Sequence, residues 1–543
     1  MNILHSKKFK HGSVSLALVI VIIAAVILVN AIFTALSDKY LWYVDMTAES
    51  IYTLSDAAKD LLAAEFNTAK KVTVIFCAEK DVLEQSAEQR MAHNTVRDIA
   101  NLYDNIEVKY VDIYSNPSAV TPYKIHTSQS INSQSIIIAS ENANGTMECR
   151  VHSLSSLFSV DSSTGAATGY NGEQKLISSL LAVTQDQMPI VCFTINHEEA
   201  DNENLYYLAQ TLYETGYEYQ GIDLTTEDIP EAARLLVIFD PQSDFQSANG
   251  HVDELAKIDA FLADKNALMV FVDDETQWFK MPNLDDFLIE WGIEAARSDE
   301  AQDNNRQNDT NILVQDKTHS FDDYGWTVTA SFVPVTSGFG YSLTSGLTSK
   351  VNPKSVVLKK TTAFKVPEGY VPEKLDDGTS AWSYSTSGNG IVRTCYDVLL
   401  SSSDAVATAG GKEKLLAKEL ATIGMEPAST IPFSYMRVTA QEYNDSVTGE
   451  QSFSYVLACA STGFAEAGAL SSSYGNHQLI TYACSMMGRD VVSVSLDYKP
   501  FASTEIKNLV AADATQYTIV LTVVPAAIVF IAGVVIMVRR KYA

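Results

Sequence analysis

The chain has 543 residues, 46% hydrophobic and 19% charged, which excludes a disordered chain and, by length, a single core. It carries 66 Asp and Glu against 38 Lys and Arg, a formal charge of −28 at pH 7. Such a surface repels phosphate backbones and anionic headgroups, which excludes nucleic acid as a partner and docking on a membrane surface through charge.

Residues 1–11 form a basic tail with Lys7, Lys8 and Lys10 and no acid. Residues 12–37 (SVSLALVIVIIAAVILVNAIFTALS after Gly12) are apolar, uncharged and long enough to cross a bilayer as a helix. The run is longer than the core of a signal peptide and no A-x-A site follows, so an uncleaved anchor is expected. A second uncharged run, 514–538, contains Pro525, which costs one backbone hydrogen bond and kinks a helix, a change that membrane helices tolerate. The tail at 539–543 carries Arg539, Arg540 and Lys541. Basic flanks on both runs predict a two-pass membrane protein with both termini cytoplasmic and a large extracytoplasmic region between. That region is acidic: without the six tail cations, acids outnumber bases about two to one.

Residues 38–69 are a juxtamembrane segment, in which Tyr40, Trp42 and Tyr43 suit a membrane interface and Ser55 and Asp56 start a helix ahead of Ala57–Ala64. A first α/β unit spans 70–185. Its strands are expected at Lys71–Ala78 and Ile106–Tyr114, with helical periodicity at Leu83–Tyr103 and a short helix at Pro117–Tyr123. A hairpin follows from Ser135–Ser140 and Met147–Ser153, and Glu173–Thr184 closes as a helix. The order is that of thioredoxin-like folds. Where such folds carry paired cysteines this chain has Cys77, Ala78, Glu79 and Lys80, and one thiol cannot run disulfide exchange with its own partner.

Residues 186–512 alternate strands (Pro189–Ile195, Tyr217–Leu224, Arg234–Asp240, Ala267–Asp274) with helices (Glu203–Thr215, Val252–Ala263, Leu284–Trp291). This predicts a doubly wound parallel sheet of flavodoxin or class I amidotransferase type, with a mixed insertion around 297–450. Arg297–Asn311 is a polar loop. Beyond it strands are expected at Trp326–Val335, Ser355–Val366 and Phe453–Ala460, and helices at Gly411–Gly424 and Gln478–Met487, while Pro367–Gly390 has no clear period. The fold class expected is therefore α/β: transmembrane helices at both ends flanking an extracytoplasmic thioredoxin-like unit and a doubly wound parallel-sheet domain.

None of the six cysteines forms a CxxC, and Cys77, Cys192 and Cys459 lie in apolar strand-like runs, which fits buried free thiols rather than a disulfide framework. No P-loop occurs: Gly410, Gly411 and Lys412 lack the upstream glycine and the Mg²⁺-binding hydroxyl, so the chain is not expected to hydrolyse ATP. Gly338 and Gly340 sit in no strand-to-helix turn, and neither HExxH nor GxSxG is present. These absences predict no catalytic residue, no cofactor and no metal.

One constellation stands out. Ligands of open parallel sheets bind beyond the carboxyl ends of the strands. There the chain places His197, Glu198 and Glu199, then Asp240, then Asp273 with Asp274 and Glu275. These residues form a candidate crevice for a cation or polar ligand. They equally fit loops solvated by charge and helices capped by Asn, Asp and Glu. A catalytic site would need a nucleophile, and Cys192 lies mid-strand, so His197 is expected to be structure rather than machinery.

Several segments in order resemble the auxiliary components of ABC transporters related to the gliding-motility system, the GldG-like proteins. DMTAESIYTLSDAAKDLL resembles that family's D-x-T-x-x-x-x-Y-T-L-S at Asp45, Thr47, Tyr52, Thr53, Leu54 and Ser55. VKYVDIYSNP is similar to its second strand and N-P, and GYNGEQKLISSLLAVT to its G-E-Q helix at Gly172, Glu173 and Gln174. FTINHEEAD is similar to its T-G-H-G-E turn at His197 and Glu199, with Asn196 and Glu198 where glycines are usual. IPEAARLLVIFDP, GNHQLITYACSMMG and the proline-containing ending also look alike. The resemblance implies a bacterial, non-catalytic extracytoplasmic subunit accompanying an ABC permease and a separate ATPase at the lipid bilayer. The alternatives are a stand-alone anchored binding protein for a solute or envelope polymer, and an amidotransferase-like hydrolase using the His197 region.

Overall fold

The computed structural model describes residues 21–32, most of 51–501, and residues 531, 533, 538 and 539. Within 51–501 the description omits 126, 128, 142–144, 161–163, 200–201, 248–251, 300–308, 334, 336–337, 349–353, 375–379, 387–389, 410–412, 415–419, 422–424, 426–431, 445–450, 472, 489–495 and 497–498. The chain divides into two compact units, Met1–Lys499 and Pro500–Ala543, and few residues of the second are described.

The flanking membrane helices are corrected. Among the described residues no helix is long and apolar enough to cross a membrane. Of the first apolar run only residues 21–32 are described, a helix of about 18 Å at 1.5 Å per residue, against a bilayer core of about 30 Å. The rest of that run, and nearly all of 514–538, lies outside the described residues. The two-pass placement, with cytoplasmic termini and an extracytoplasmic bulk, is withdrawn with them. What stands is a mixed α/β protein of several sheets.

The first sheet takes β1 (Val72–Phe76), β2 (Ile106–Tyr110), β3 (Ser135–Glu141) and β4 (Met147–Ser153) in the order β2-β1-β3-β4. β1 runs parallel to β2 and antiparallel to β3, and β3 and β4 form a hairpin. Helix α1 (Asp56–Glu65) starts where Ser55 Oγ accepts the Ala58 N–H at 3.2 Å. Helix α2 (Ala87–Leu102) turns Met91, Val96 and Ile99 inward. The short strands β5 (Phe158–Val160) and β6 (Ala167–Tyr170) lead into α3 (Gly172–Val183), whose twelve residues are all buried. α3 touches α1, α2, β3, β4 and α4 (Glu203–Glu214), which makes it the strut between the first sheet and the rest. A Cβ at Gly172 would run into the Tyr170 ring, so glycine is required there.

The large sheet has thirteen strands, of which nine form the main path. One half is parallel: β8 (Glu218–Ile222), β7 (Ile190–Thr194), β9 (Ala233–Phe239), β10 (Ala267–Phe271) and, after a long excursion, β23 (Gln451–Cys459). Every residue of β10 is buried, and alternate residues of β9 and β10 feed separate cores: Leu235, Val237 and Met269 on one face, Leu236, Ile238 and Leu268 on the other. Helices α5 (Glu254–Ala263) and α6 (Pro282–Glu290) cover the second core.

The other half corrects the purely parallel, doubly wound expectation. From β11 (Glu294–Ala295) to β22 (Ser434–Asn444) the strands all pair antiparallel, four of them in a separate small sheet, and β22 carries the large sheet on by pairing with β23 on one side and β19 (Val392–Leu400) on the other. β14 (Thr327–Phe332) and β15 (Val356–Lys359) complete that edge, packed beneath α7 (Gly338–Thr348) and α8 (Asn476–Met487). The expected helix over 411–424 mostly falls outside the described residues, but Glu413–Lys414 is a strand. β19 and β22 escaped sequence recognition because polar groups face inward: Arg437 is buried against Asp397 at 2.7 Å, and Arg393 Nε donates to Gln441 Oε1 at 2.8 Å. A strand with buried ions shows no clean apolar alternation.

Candidate functional site

β7 and β9 are neighbours although β8 lies between them in sequence, so chain direction across the sheet reverses between them. That reversal is where an open α/β sheet leaves a crevice. His197 follows β7 and Asp240 follows β9. The turn after β7 holds Asn196 at φ 83° and Glu198 at φ 56°, left-handed conformations that suit glycine. The pair of turns swings His197 inward, where it is 2% exposed, while Glu198 stays in solvent.

Both imidazole nitrogens of His197 are committed. Nδ1 meets Glu199 Oε1 at 3.1 Å and Nε2 meets Glu254 Oε1, from the first turn of α5, at 3.1 Å. The ring stacks on Phe245 at 3.7 Å. The loop after β9 is fixed to the same point: Gln242 and Ser243 N–H donate to His197 O at 2.9 and 3.0 Å, and Gln246 N–H donates to Glu254 Oε2 at 2.7 Å. Asp244 from this loop caps α6 by accepting the Asn283 and Leu284 N–H groups at 3.0 and 3.1 Å. Burial alone would lower the His197 pKa. Hydrogen bonds and charge from Glu199, then Glu254, outweigh it and hold the imidazole above its ordinary value. An imidazolium donating to two carboxylates has no lone pair with which to take a proton.

Asp240 and Asp273 form a second group, with no described contact to the His197 ring. Asp273 Oδ2 accepts the Thr462 hydroxyl at 2.8 Å, and its Oδ1 accepts the Glu275 N–H at 2.9 Å. Asp240, itself left-handed at φ 50°, accepts the Gln242 amide at 2.9 Å. Burial, then the charge of Asp273, raises Asp240 to about 7, with Glu275 and Asp274 adding to the effect; burial and Asp273 also raise Asp274 to about 6. Among the described residues no group of three or more His, Cys, Asp or Glu is placed to hold a metal ion. The candidate crevice thus resolves into a buried His–carboxylate joint and a neighbouring set of mutually repelling acids.

The repulsion has a measurable consequence. A carboxyl whose folded pKa is raised is penalised once it must ionise, so the deficit is absent near pH 4, grows as pH rises and is complete above about 7. Asp240→Asn keeps a left-handed-tolerant residue and removes the charge. It should stabilise the protein by about 1–2 kcal/mol at pH 8, after discounting for solvent screening, and leave it nearly unchanged at pH 4.5. Urea melts at the two pH values read this directly; equal effects at both would contradict it.

The most elaborate polar arrangement involves Glu173 and Gln174, which the sequence offered only as part of a family-like motif and not as a site. α3 opens with three buried polar residues, each joined to a distant element. Glu173 accepts from Ser55 N and Oγ at 3.0 and 2.7 Å and from Lys499. Gln174 donates to Thr481 Oγ1 at 3.1 Å. Lys175 donates to Ser156 O at 2.6 Å and pairs with Glu214 at 2.8 Å, and the same Glu214 meets His477 at 3.4 Å. One polar triplet, Glu-Gln-Lys, at the start of a largely apolar helix (GEQKLISSLLAV) was the available signal. All six cysteines are buried and free; burial pushes Cys77 up to about 11 and Cys192 to about 12, which removes them as nucleophiles.

The fold and site define a mixed α/β protein whose strand-end polar residues join elements to one another. No family model matches the chain, and no curated protein does. Among solved structures it is similar to the mmIFT52 N-terminal domain, with 10% identity and a TM-score of 0.34, over 56% of this chain and 99% of that domain. A likeness that slight carries no functional argument.

Proposed function

We propose that the chain is a non-catalytic auxiliary subunit of an ABC transporter complex, with ATP hydrolysis supplied by a separate ATPase and the permease as its other partner. The observation that supports this most is the turn after β7. The resemblance to GldG-like proteins puts glycines where this chain has Asn196 and Glu198, and both residues adopt the left-handed backbone that glycine favours. A left-handed backbone at both positions fits a turn written with glycines, and holding non-glycine residues there costs about 1 kcal/mol per residue. The non-catalytic part of the reading rests on His197: a ring with both nitrogens tied to carboxylates is a joint, not a proton shuttle.

Mild isolation of the natively expressed chain tests the reading. A permease and an ATPase should co-purify with it in fixed proportion, and the chain alone should show no nucleotide turnover. Recovery of the chain always by itself, or ATPase activity in the pure chain, would overturn the proposal.

A further inference from the structure

The two edges of the first sheet differ. At β4 the Tyr213 hydroxyl of α4 accepts the Val151 N–H at 3.0 Å and donates to Val151 O at 3.2 Å, and Arg150 donates to Tyr217 O at 2.8 Å, so that edge is covered by its own chain. At the opposite edge β2 pairs with β1, and among the described residues no strand meets its outer side. Asn105 O accepts the Val72 N–H at 3.0 Å and the Val111 N–H donates to Phe76 O at 2.9 Å, so residues 105, 107, 109 and 111 turn their backbone groups to β1. Ile106, Val108 and Tyr110 turn theirs outward. The Ile106 N–H is taken by Tyr103 O at 3.2 Å, but among the described residues the Val108 and Tyr110 N–H groups meet no acceptor.

An open strand edge is a template for another strand. With a net charge of −28, a second copy is repelled over most of this surface. β2 is an exception. Its Glu107 and Lys109 cancel, and Asp104 and Asp112 lie beyond its ends. The two side chains leave the same face of the strand, 65% and 46% exposed, and meet at 3.0 Å.

We propose that β2 pairs with β2 of a second copy of this chain, antiparallel about a two-fold axis at Val108. Val108 exchanges both backbone hydrogen bonds with its counterpart, and the Tyr110 N–H donates to Ile106 O of the second copy. Glu107 then faces Lys109 of the second copy in a non-hydrogen-bonded pair, where side chains approach most closely. Neither charge has to be free for this: each keeps its neighbour along the strand and gains another across it, in a ring of alternating sign. The charges also select the register. An axis at Glu107 or Lys109 sets like charges opposite each other, and an axis at Ile106 or Tyr110 sets Glu107 against Asn105 or Lys109 against Val111. On the other face Tyr110, 37% exposed, covers Ile106 of the second copy. The interface is isologous and closes as a dimer. It does not depend on the subunit reading, since it needs neither permease nor ATPase.

Sedimentation equilibrium of the full chain in mild detergent tests it. Wild type should form a reversible dimer with a Kd of about 100 µM or tighter. Glu107→Lys or Lys109→Glu alone makes the strand repel its copy and should weaken the dimer about tenfold or more, with melting close to wild type because both side chains are exposed. Both reversals in one chain restore the alternation and should restore the dimer, and the two single variants mixed together should pair with each other. Val108→Pro removes an outward N–H at a position where an edge strand tolerates proline, and should abolish the dimer. A wild type that stays monomeric, a dimer indifferent to either single reversal or to Val108→Pro, or failure of the double variant or of the mixture to recover it would each overturn the proposal.

Discussion

Glu173→Ala should destabilise the protein by about 3–5 kcal/mol, seen as a large fall in the urea midpoint. The carboxylate is 4% exposed and meets Lys499, itself 7% exposed, whose other described contact is Thr53 O at 2.6 Å. Removing the acid takes the carboxylate from a buried ammonium, and breaking a buried ion pair is far more costly than burying the pair. The same carboxylate accepts both the N–H and the hydroxyl of Ser55, the residue that caps α1, so the loss propagates to the start of that helix. Glu173→Gln keeps the shape and part of the hydrogen bonding and should cost about 1–3 kcal/mol. An alanine variant that unfolds with the wild type would show that α3 is not the strut described.

His197→Ala should cost a comparable amount, about 3–5 kcal/mol, because Glu199 and Glu254 are left as adjacent buried carboxylates with no cation between them. The loss should be pH-dependent. The folded pKa of His197 is raised, so its stabilisation is complete below the unfolded value of about 6.5 and fades as pH rises through the folded value. The difference between wild type and variant is therefore largest in mild acid and shrinks in base. Adding Glu199→Gln and Glu254→Gln to His197→Ala removes the stranded charges and should recover part of the loss. If His197 worked on a substrate, its removal would instead abolish an activity at little cost in stability.

The parallel half of the large sheet was legible because its strands are buried on both faces: IVCFT, ARLLVIF and ALMVF are near-continuous apolar runs between helical periods. The end-of-strand positions of His197, Asp240 and Asp273 followed from that order alone. Their chemistry did not, because it is set by distant residues: Glu254 reaches His197 from 57 positions away and Thr462 reaches Asp273 from 189. The antiparallel half was illegible where ions point inward, as at Arg437 and Asp397 in β22 and β19. The Lys175–Glu214–His477 cluster was missed for a related reason. Lys175 and His477 lie in segments that look apolar and helical, and only folding brings them to the same glutamate.

The nitrogen chemical shifts of the His197 imidazole, followed by long-range proton–nitrogen correlation between pH 6 and pH 8.5, bear most directly on whether the strand-end residues are a joint or a working site. A joint requires both ring nitrogens to stay protonated to a higher pH than an ordinary histidine, with no shift on adding nucleotide or candidate substrates. A ring that loses its proton at or below the ordinary histidine value, with one nitrogen free to accept a proton, would contradict it.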